Sequence, residues 1–117
     1  MKADNVIEIK SKAFAIRIVR LYQYLCDNKK EFILSKQLLR SGTSVGANIK
    51  EALRGQSRAD FISKMNIALK EASETEYWLE ILHETDYLAS AEFESIYTDN
   101  KEIIKILMSI VKTGKKE

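Results

Sequence analysis

The chain contains no proline in 117 residues and only four glycines. Tight turns depend heavily on these two residue types, so a β-sandwich or β-barrel with many reversals is excluded. Hydrophobic residues make up 45% of the chain and charged residues 31%, which excludes a disordered tail and a membrane protein respectively. We therefore expect a helical protein, and the length fits about one domain covering residues 1–117.

Apolar residues recur every three or four positions in four segments, which is the period of an amphipathic helix. The third segment has the most regular pattern, a heptad repeat from Phe61 to Leu82. Ser35, Ser57 and Ser90 are expected to cap helices, and Gly114 is expected to end the last one. The predicted helices span residues 5–27, 35–53, 58–85 and 90–112.

Connections of only a few residues place sequential helices antiparallel, so the predicted fold is an all-α, up-down-up-down antiparallel four-helix bundle. The first and fourth helices carry more than one apolar stripe each, which exceeds what one bundle core can bury. This surplus predicts a homo-oligomer.

The second helix contains a run of small and β-branched residues, SGTSVGA, at positions 41–47. Glycine inside a helix costs about 1 kcal/mol relative to alanine, so Gly42 and Gly46 need a compensating role. A close contact with a neighbouring helix supplies one. A phosphate-binding loop is disfavoured, because the run lacks the spacing of such loops and no strand precedes it.

The residue types in the sequence give little support to a catalytic site or a metal site. Cys26 and His83 are the only nucleophile and base of the usual type, and Cys26 continues an apolar stripe, which favours a place in the core. One cysteine and one histidine do not make a zinc site. We therefore predict no enzyme, cofactor or metal. A single cysteine, with neither a leader peptide nor an apolar run of roughly 20 residues, predicts a cytoplasmic protein without a membrane partner.

Charge is unevenly distributed along the chain. Residues 1–64 carry 13 Lys/Arg and 6 Asp/Glu, whereas residues 65–117 carry 6 and 11. A basic surface repeated in an oligomer would bind phosphate backbones without selecting a sequence. The candidate nucleic-acid-binding residues are Lys10, Arg17, Arg20, Lys36, Arg40, Lys50, Arg54 and Arg58.

The middle of the chain carries an ordered series of short motifs. They are Gln37, Leu38 and Arg40; Ser44, Val45, Asn48, Ile49 and Glu51; Arg54 and Ser57; Asp60 and Phe61; Ile67, Ala68 and Leu69; and Glu74 and Glu76. Together they resemble the core of the four-helix bundle proteins known as 23S ribosomal RNA intervening-sequence proteins. The chain departs from the common pattern at Gly46, Ala47 and Ala52, where many members have proline, serine and glycine.

This resemblance implies a cyclic homo-oligomer of non-catalytic four-helix subunits, and a pentamer is the expected number. Relatives include accessory proteins of diversity-generating retroelements, which bind nucleic acid and a reverse transcriptase. The first hypothesis is accordingly a nucleic-acid-associated accessory factor that binds RNA or DNA. The alternative is a protein-binding scaffold, in which the basic half of one subunit meets the acidic half of the next. One of Glu74 and Glu76 is expected to face inward, and Glu76 is favoured because it lies beside the apolar seam from Ala72 to Leu79. It would then need a partner such as Arg40 or Asn48.

Overall fold

A computed structural model of the chain describes the backbone of residues 2–116 and the side chains of residues 5–114. This part of the chain forms four helices and no strand. Each helix packs against two neighbours, α1 against α2 and α4, and α3 against the same two. The predicted all-α four-helix bundle is confirmed. The helices are α1, Lys2–Lys29; α2, Leu34–Leu53; α3, Arg58–Glu84; and α4, Ser90–Lys116.

The heptad pattern of α3 supplies one wall of the core. Met65, Ala68, Ala72, Leu79 and Leu82 are all fully buried. Residues at helical spacing on the other helices meet them, including Phe14, Val45 and Ile103 at 0–2% exposure. The core therefore runs the length of the bundle.

Two hydrogen bonds cross the core near its middle. Thr75 on α3 donates to the Ser41 hydroxyl on α2 over 2.9 Å, and the Asn100 amide nitrogen on α4 donates to the Ala72 carbonyl over 2.9 Å. Among the described residues, the carbonyl oxygen of Asn100 is the buried side-chain atom left without a partner. These polar contacts join α3 to α2 and to α4, and they fix the position of α3 along the bundle axis relative to both helices.

The small residues of α2 lie where α2 meets α1. A Cβ atom placed on Gly42 would lie 2.8 Å from Cγ1 and Cγ2 of Ile18, and one on Gly46 would lie 3.3 Å from the Ser11 carbonyl oxygen. Neither glycine has a positive φ angle. Close helix packing, as predicted, is thus the reason for glycine at both positions.

Ser35 and Gly114 do not have the roles predicted for them at helix ends. Ser35 does not cap α2 but lies inside it, because the Glu31 side chain binds the first backbone amides instead. Gly114 does not end α4, which continues to Lys116. A Cβ atom on Gly114 would approach within 2.8 Å of Cγ1 of Ile62, so this glycine also serves close packing. The Ser57 cap is confirmed, since its hydroxyl accepts from the Asp60 amide over 3.0 Å.

Candidate interaction surfaces

Two of the candidate basic residues on α1 are bound to acidic residues on α4. Lys10 Nζ lies 3.0 Å from Glu102, and the two terminal nitrogens of Arg17 lie 2.9 Å from Glu92 and 2.8 Å from Asp99. Burial lowers the pKa of Arg17, but the two carboxylates raise it by more. These cations therefore join α1 to α4 across the bundle surface.

Arg40 makes the equivalent link between α2 and α3. Its guanidinium pairs with Glu74 and, over 3.3 Å, with Glu71. The indole nitrogen of Trp78 donates to the same Glu74 carboxylate over 2.9 Å. Bonds from Trp78 and Arg40 together lower the pKa of Glu74.

Glu76 does not have the partner that the sequence suggested. It lies at the bundle surface, where Lys101 Nζ approaches within 2.6 Å and the Tyr97 hydroxyl donates over 2.8 Å. The ion pair with Lys101 is the main cause of the lowered pKa of Glu76. Asn48 instead donates to the Ser44 carbonyl one turn earlier in α2, over 2.8 Å. The expectation of an inward-facing Glu76 paired with Arg40 or Asn48 is wrong, because α4 supplies a lysine on that side of α3.

The motif residues around the α2–α3 turn are also engaged within the chain. Glu51 accepts from Lys64 over 3.0 Å. Phe61 is partly buried against the core, and the Arg58 guanidinium lies 5.9 Å from its ring centroid. These contacts give the motif residues structural roles at the turn.

Three candidate cations remain without an acidic partner among the side chains of residues 5–114: Arg20, Lys36 and Arg54. Arg20 lines a depression of about 540 Å³ between α1 and the start of α4, together with Tyr24, Leu88 and the paired Arg17 and Glu92. Lys36 is in the first turn of α2 and Arg54 is the residue that caps its C-terminal end, 18 residues later, which is about five helical turns. They therefore share one face of α2.

Lys50 extends the same face, and Lys12 joins it from α1. Lys50 is exposed, and its nearest acidic group, Glu8, is 3.8 Å away. Lys12 and Lys50 flank a groove of about 290 Å³ between α1 and α2 that is lined mainly by small residues such as Ala15 and Gly46. We call this set the α1–α2 basic face: Lys12, Lys36, Lys50 and Arg54.

The loop between α1 and α2 presents residues to which sequence analysis gave no role. Phe32 is 55% exposed and Ile33 is 76% exposed. Lys29, Lys30 and Lys36 adjoin them in sequence and are exposed as well. In the sequence, the position of Phe32 and Ile33 is the one sign that they are exposed, because these two large apolar residues stand between a charged turn and the predicted start of the next helix.

A second exposed apolar surface lies on the outer side of α1. Ile9, Ile16 and Tyr24 are 70%, 50% and 43% exposed, and Ala13 lies between them at helical spacing. We call Ile9, Ala13, Ile16 and Tyr24 the α1 outer stripe. The corresponding surplus on α4 is smaller than predicted, because Ile104, Ile106 and Ile110 pack against the core.

Cys26 and His83, the nucleophile and base named from the sequence, contact different residues. The Cys26 sulfur lies 3.9 Å from the Ser35 hydroxyl, whereas His83 stacks on Phe93 at 4.2 Å and meets the Ser90 hydroxyl at 3.1 Å. Within the part of the chain that the structure describes, no three His, Cys, Asp or Glu residues are placed to hold a metal ion. No helix in this part is long and apolar enough to cross a membrane.

Comparisons with known proteins agree with this architecture. The family model described as 23S rRNA-intervening sequence protein matches residues 3–109. A similar solved structure is the crystal structure of a protein with unknown function from the S23 ribosomal protein family of Bacteroides thetaiotaomicron. It is 61% identical, with a TM-score of 0.93, and the match covers 94% of this chain and 98% of that one. No match was found among curated proteins.

Proposed function

Because the chain belongs to the family of 23S rRNA-intervening sequence proteins, we propose that it is a non-catalytic accessory protein. In this proposal it assembles with copies of itself and binds the phosphates of nucleic acids through the α1–α2 basic face. The observation that carries the proposal is the row of exposed cations along α2 and at its C-cap, of which Lys36 and Arg54 have no acidic partner among the described side chains.

The shape of this face supports phosphate binding. Between its charged ends the surface of α2 is built from Thr43 and Ala47, which are small and uncharged. A nucleic-acid backbone can approach such a surface closely while cations at both ends contact phosphates. Binding of this kind reads charge and not base sequence.

The ion pairs of α1 and α2 narrow the set of residues that this function requires. Lys10, Arg17 and Arg40 already face carboxylates within 3.3 Å, so a phosphate would have to displace them. Their main contribution is to hold the helices together. We therefore expect the α1–α2 basic face and Arg20 to make the contacts with nucleic acid.

A titration of a fluorescent 30-nucleotide RNA tests the proposal. We expect Lys36→Glu/Arg54→Glu to weaken binding at least tenfold at 50 mM salt. The dependence of log affinity on log salt should also become shallower, by roughly 0.7 to 0.9 for each phosphate that the variant no longer neutralises.

The matched control is Lys70→Glu/Lys105→Glu, which makes the same change in net charge at two exposed lysines on α3 and α4. If both double variants weaken binding equally, the α1–α2 basic face has no special role. If the wild-type protein binds neither RNA nor DNA at tens of micromolar, the protein-binding scaffold replaces this proposal.

The scaffold remains the second candidate because of one observation. Lys10, Arg17 and Arg40 are neutralised by carboxylates, as the scaffold hypothesis requires, although the carboxylates belong to the same chain and not to a neighbouring subunit. A scaffold would use the α1 outer stripe and would bind no nucleic acid.

A further inference from the structure

The loop of residues 30–33 holds Phe32 in an exposed position by a defined set of bonds. Lys30 has a φ of 54°, which reverses the chain after α1, and the Glu31 amide then donates to the Leu25 carbonyl over 3.0 Å. The Glu31 side chain, which is only 8% exposed, turns inward beneath the loop. The two apolar residues that follow it are left outside the bundle.

The Glu31 carboxylate holds the loop in this conformation from its buried side. Its carboxylate accepts from the backbone amides of Ile33, Leu34 and Ser35 over 3.1, 3.0 and 2.7 Å. The Ser35 hydroxyl donates to the Glu31 carbonyl over 2.8 Å. Because the loop is ordered in advance, a ligand that contacts Phe32 has little backbone freedom to remove on binding.

The surroundings of Phe32 favour an anionic ligand. Lys29, Lys30 and Lys36 are exposed, and none has an acidic partner among the described side chains. The charge of Glu31 is directed at the α2 amides, which leaves Asp27 as the exposed carboxylate in this stretch. Positive charge therefore predominates around an exposed aromatic ring.

We propose that the Phe32 ring is a stacking platform for an unpaired base of a single-stranded nucleic acid whose phosphates contact Lys29, Lys30 and Lys36. A polyanion that also offers flat apolar faces matches both features of the loop, and aromatic rings beside cations bind single strands in this way. Lys36, four residues after Phe32, belongs to the α1–α2 basic face, and the proposal extends a strand bound along that face to the Phe32 ring. This inference rests on the proposed function and adds the kind of nucleic acid to it.

Substitutions at Phe32 separate stacking from general hydrophobic contact. Stacking on one base is worth about 1 to 3 kcal/mol, so Phe32→Ala should weaken binding of a 12-nucleotide single strand by about 5- to 150-fold. Phe32→Leu should weaken it nearly as much, because leucine is apolar but has no aromatic face. Phe32→Trp should retain the affinity of the wild-type protein. Binding of a duplex of equal length should be the same for all four proteins.

Circular dichroism melting of each variant checks the fold, which an exposed side chain is expected to leave intact. If Phe32→Leu binds single strands as the wild-type protein does, the stacking platform is rejected while phosphate binding by the α1–α2 basic face survives. If Phe32→Leu retains, and Phe32→Ala loses, binding to phosphatidylglycerol vesicles without change in oligonucleotide affinity, the loop is a lipid contact and the proposal is wrong. A wild-type protein that binds no nucleic acid overturns this inference together with the proposed function.

Discussion

Glu31 shows how one side chain can set a helix start. The sequence offered Ser35 as the cap of α2, since serine is a common capping residue, but a carboxylate four residues earlier binds three amides at once. A residue pattern does not reveal this, because the geometry depends on the positive φ of Lys30. The exposure of Phe32 and Ile33 follows from the same inward turn of Glu31, and in the sequence only their position between a charged turn and a helix start indicates it.

The bonds of Glu31 should make the stability of the bundle depend on pH. Burial raises the pKa of this carboxyl, but the backbone amides lower it by more, to below its ordinary value of 4.5. A lowered pKa in the folded protein stabilises it fully above about pH 4.5, and the stabilisation is lost as the pH falls through the folded value. We expect Glu31→Gln to lower the free energy of unfolding by about 1 to 3 kcal/mol at pH 7.

Urea denaturation at pH 7 and pH 3 measures this effect. The difference between Glu31→Gln and the wild-type protein should shrink at the lower pH, where the wild-type carboxyl takes up a proton. Glu94→Gln removes the same charge from an exposed position on α4 and should change little at either pH. A deficit for Glu31→Gln that is the same at both pH values would show that the charge of Glu31 is unimportant.

At the scale of whole helices, periodicity predicted the four elements because each must bury a stripe of apolar side chains. It could not predict which polar residues meet, since this depends on how far each helix is rotated about its axis. Glu74 and Glu76 illustrate the difficulty. They are two residues apart and project to different sides of α3, so Arg40 on α2 pairs with Glu74, whereas Lys101 on α4 pairs with Glu76.

The contact between α1 and α2 sets a limit on side-chain size at position 42. Gly42→Ala gains about 1 kcal/mol of helix propensity, but its Cβ would lie 2.8 Å from two carbons of buried Ile18. Overpacking typically costs about 1 to 3 kcal/mol, so we expect a net loss of stability and a lower melting temperature. In an Ile18→Ala background the same substitution should become stabilising. A stabilising Gly42→Ala in the otherwise wild-type protein would show that the helices separate at no cost.

At the scale of the molecule, the unequal charge of the two halves serves the assembly of the bundle. The basic first half forms α1, α2 and the start of α3, and its cations reach carboxylates on α4 and α3 over distances of 2.8–3.3 Å. The sequence disclosed the asymmetry but not its use, because pairing within a chain and pairing between chains draw on the same residues. Among the described residues, the cations without such a carboxylate, which include Arg20, Lys29, Lys30, Lys36 and Arg54, are available to an external anion.

The α1 outer stripe is the surface through which we expect copies of the chain to contact each other. One side of α1 is buried in the core through Ile7, Phe14 and Ile18, yet the other side exposes Ile9 and Ile16. A helix with apolar residues on opposite sides is normally covered on both, and a second copy of the chain is the occupant that the proposed homo-oligomer supplies. We expect sedimentation equilibrium at micromolar concentration to give a mass well above 13.4 kDa for the wild-type protein.

In the same experiment Ile9→Glu/Ile16→Glu should sediment as the 13.4 kDa monomer, because buried carboxylates without partners would oppose assembly. Met108→Glu is the matched control, since Met108 is an equally prominent apolar residue on α4, 56% exposed, outside the stripe. It should leave the assembled mass unchanged. Loss of assembly in Met108→Glu with retention in the α1 variant would move the interface to α4, and a monomeric wild-type protein would remove self-association from the proposed function. The pentamer remains a prediction, and the assembled mass divided by the subunit mass tests it directly.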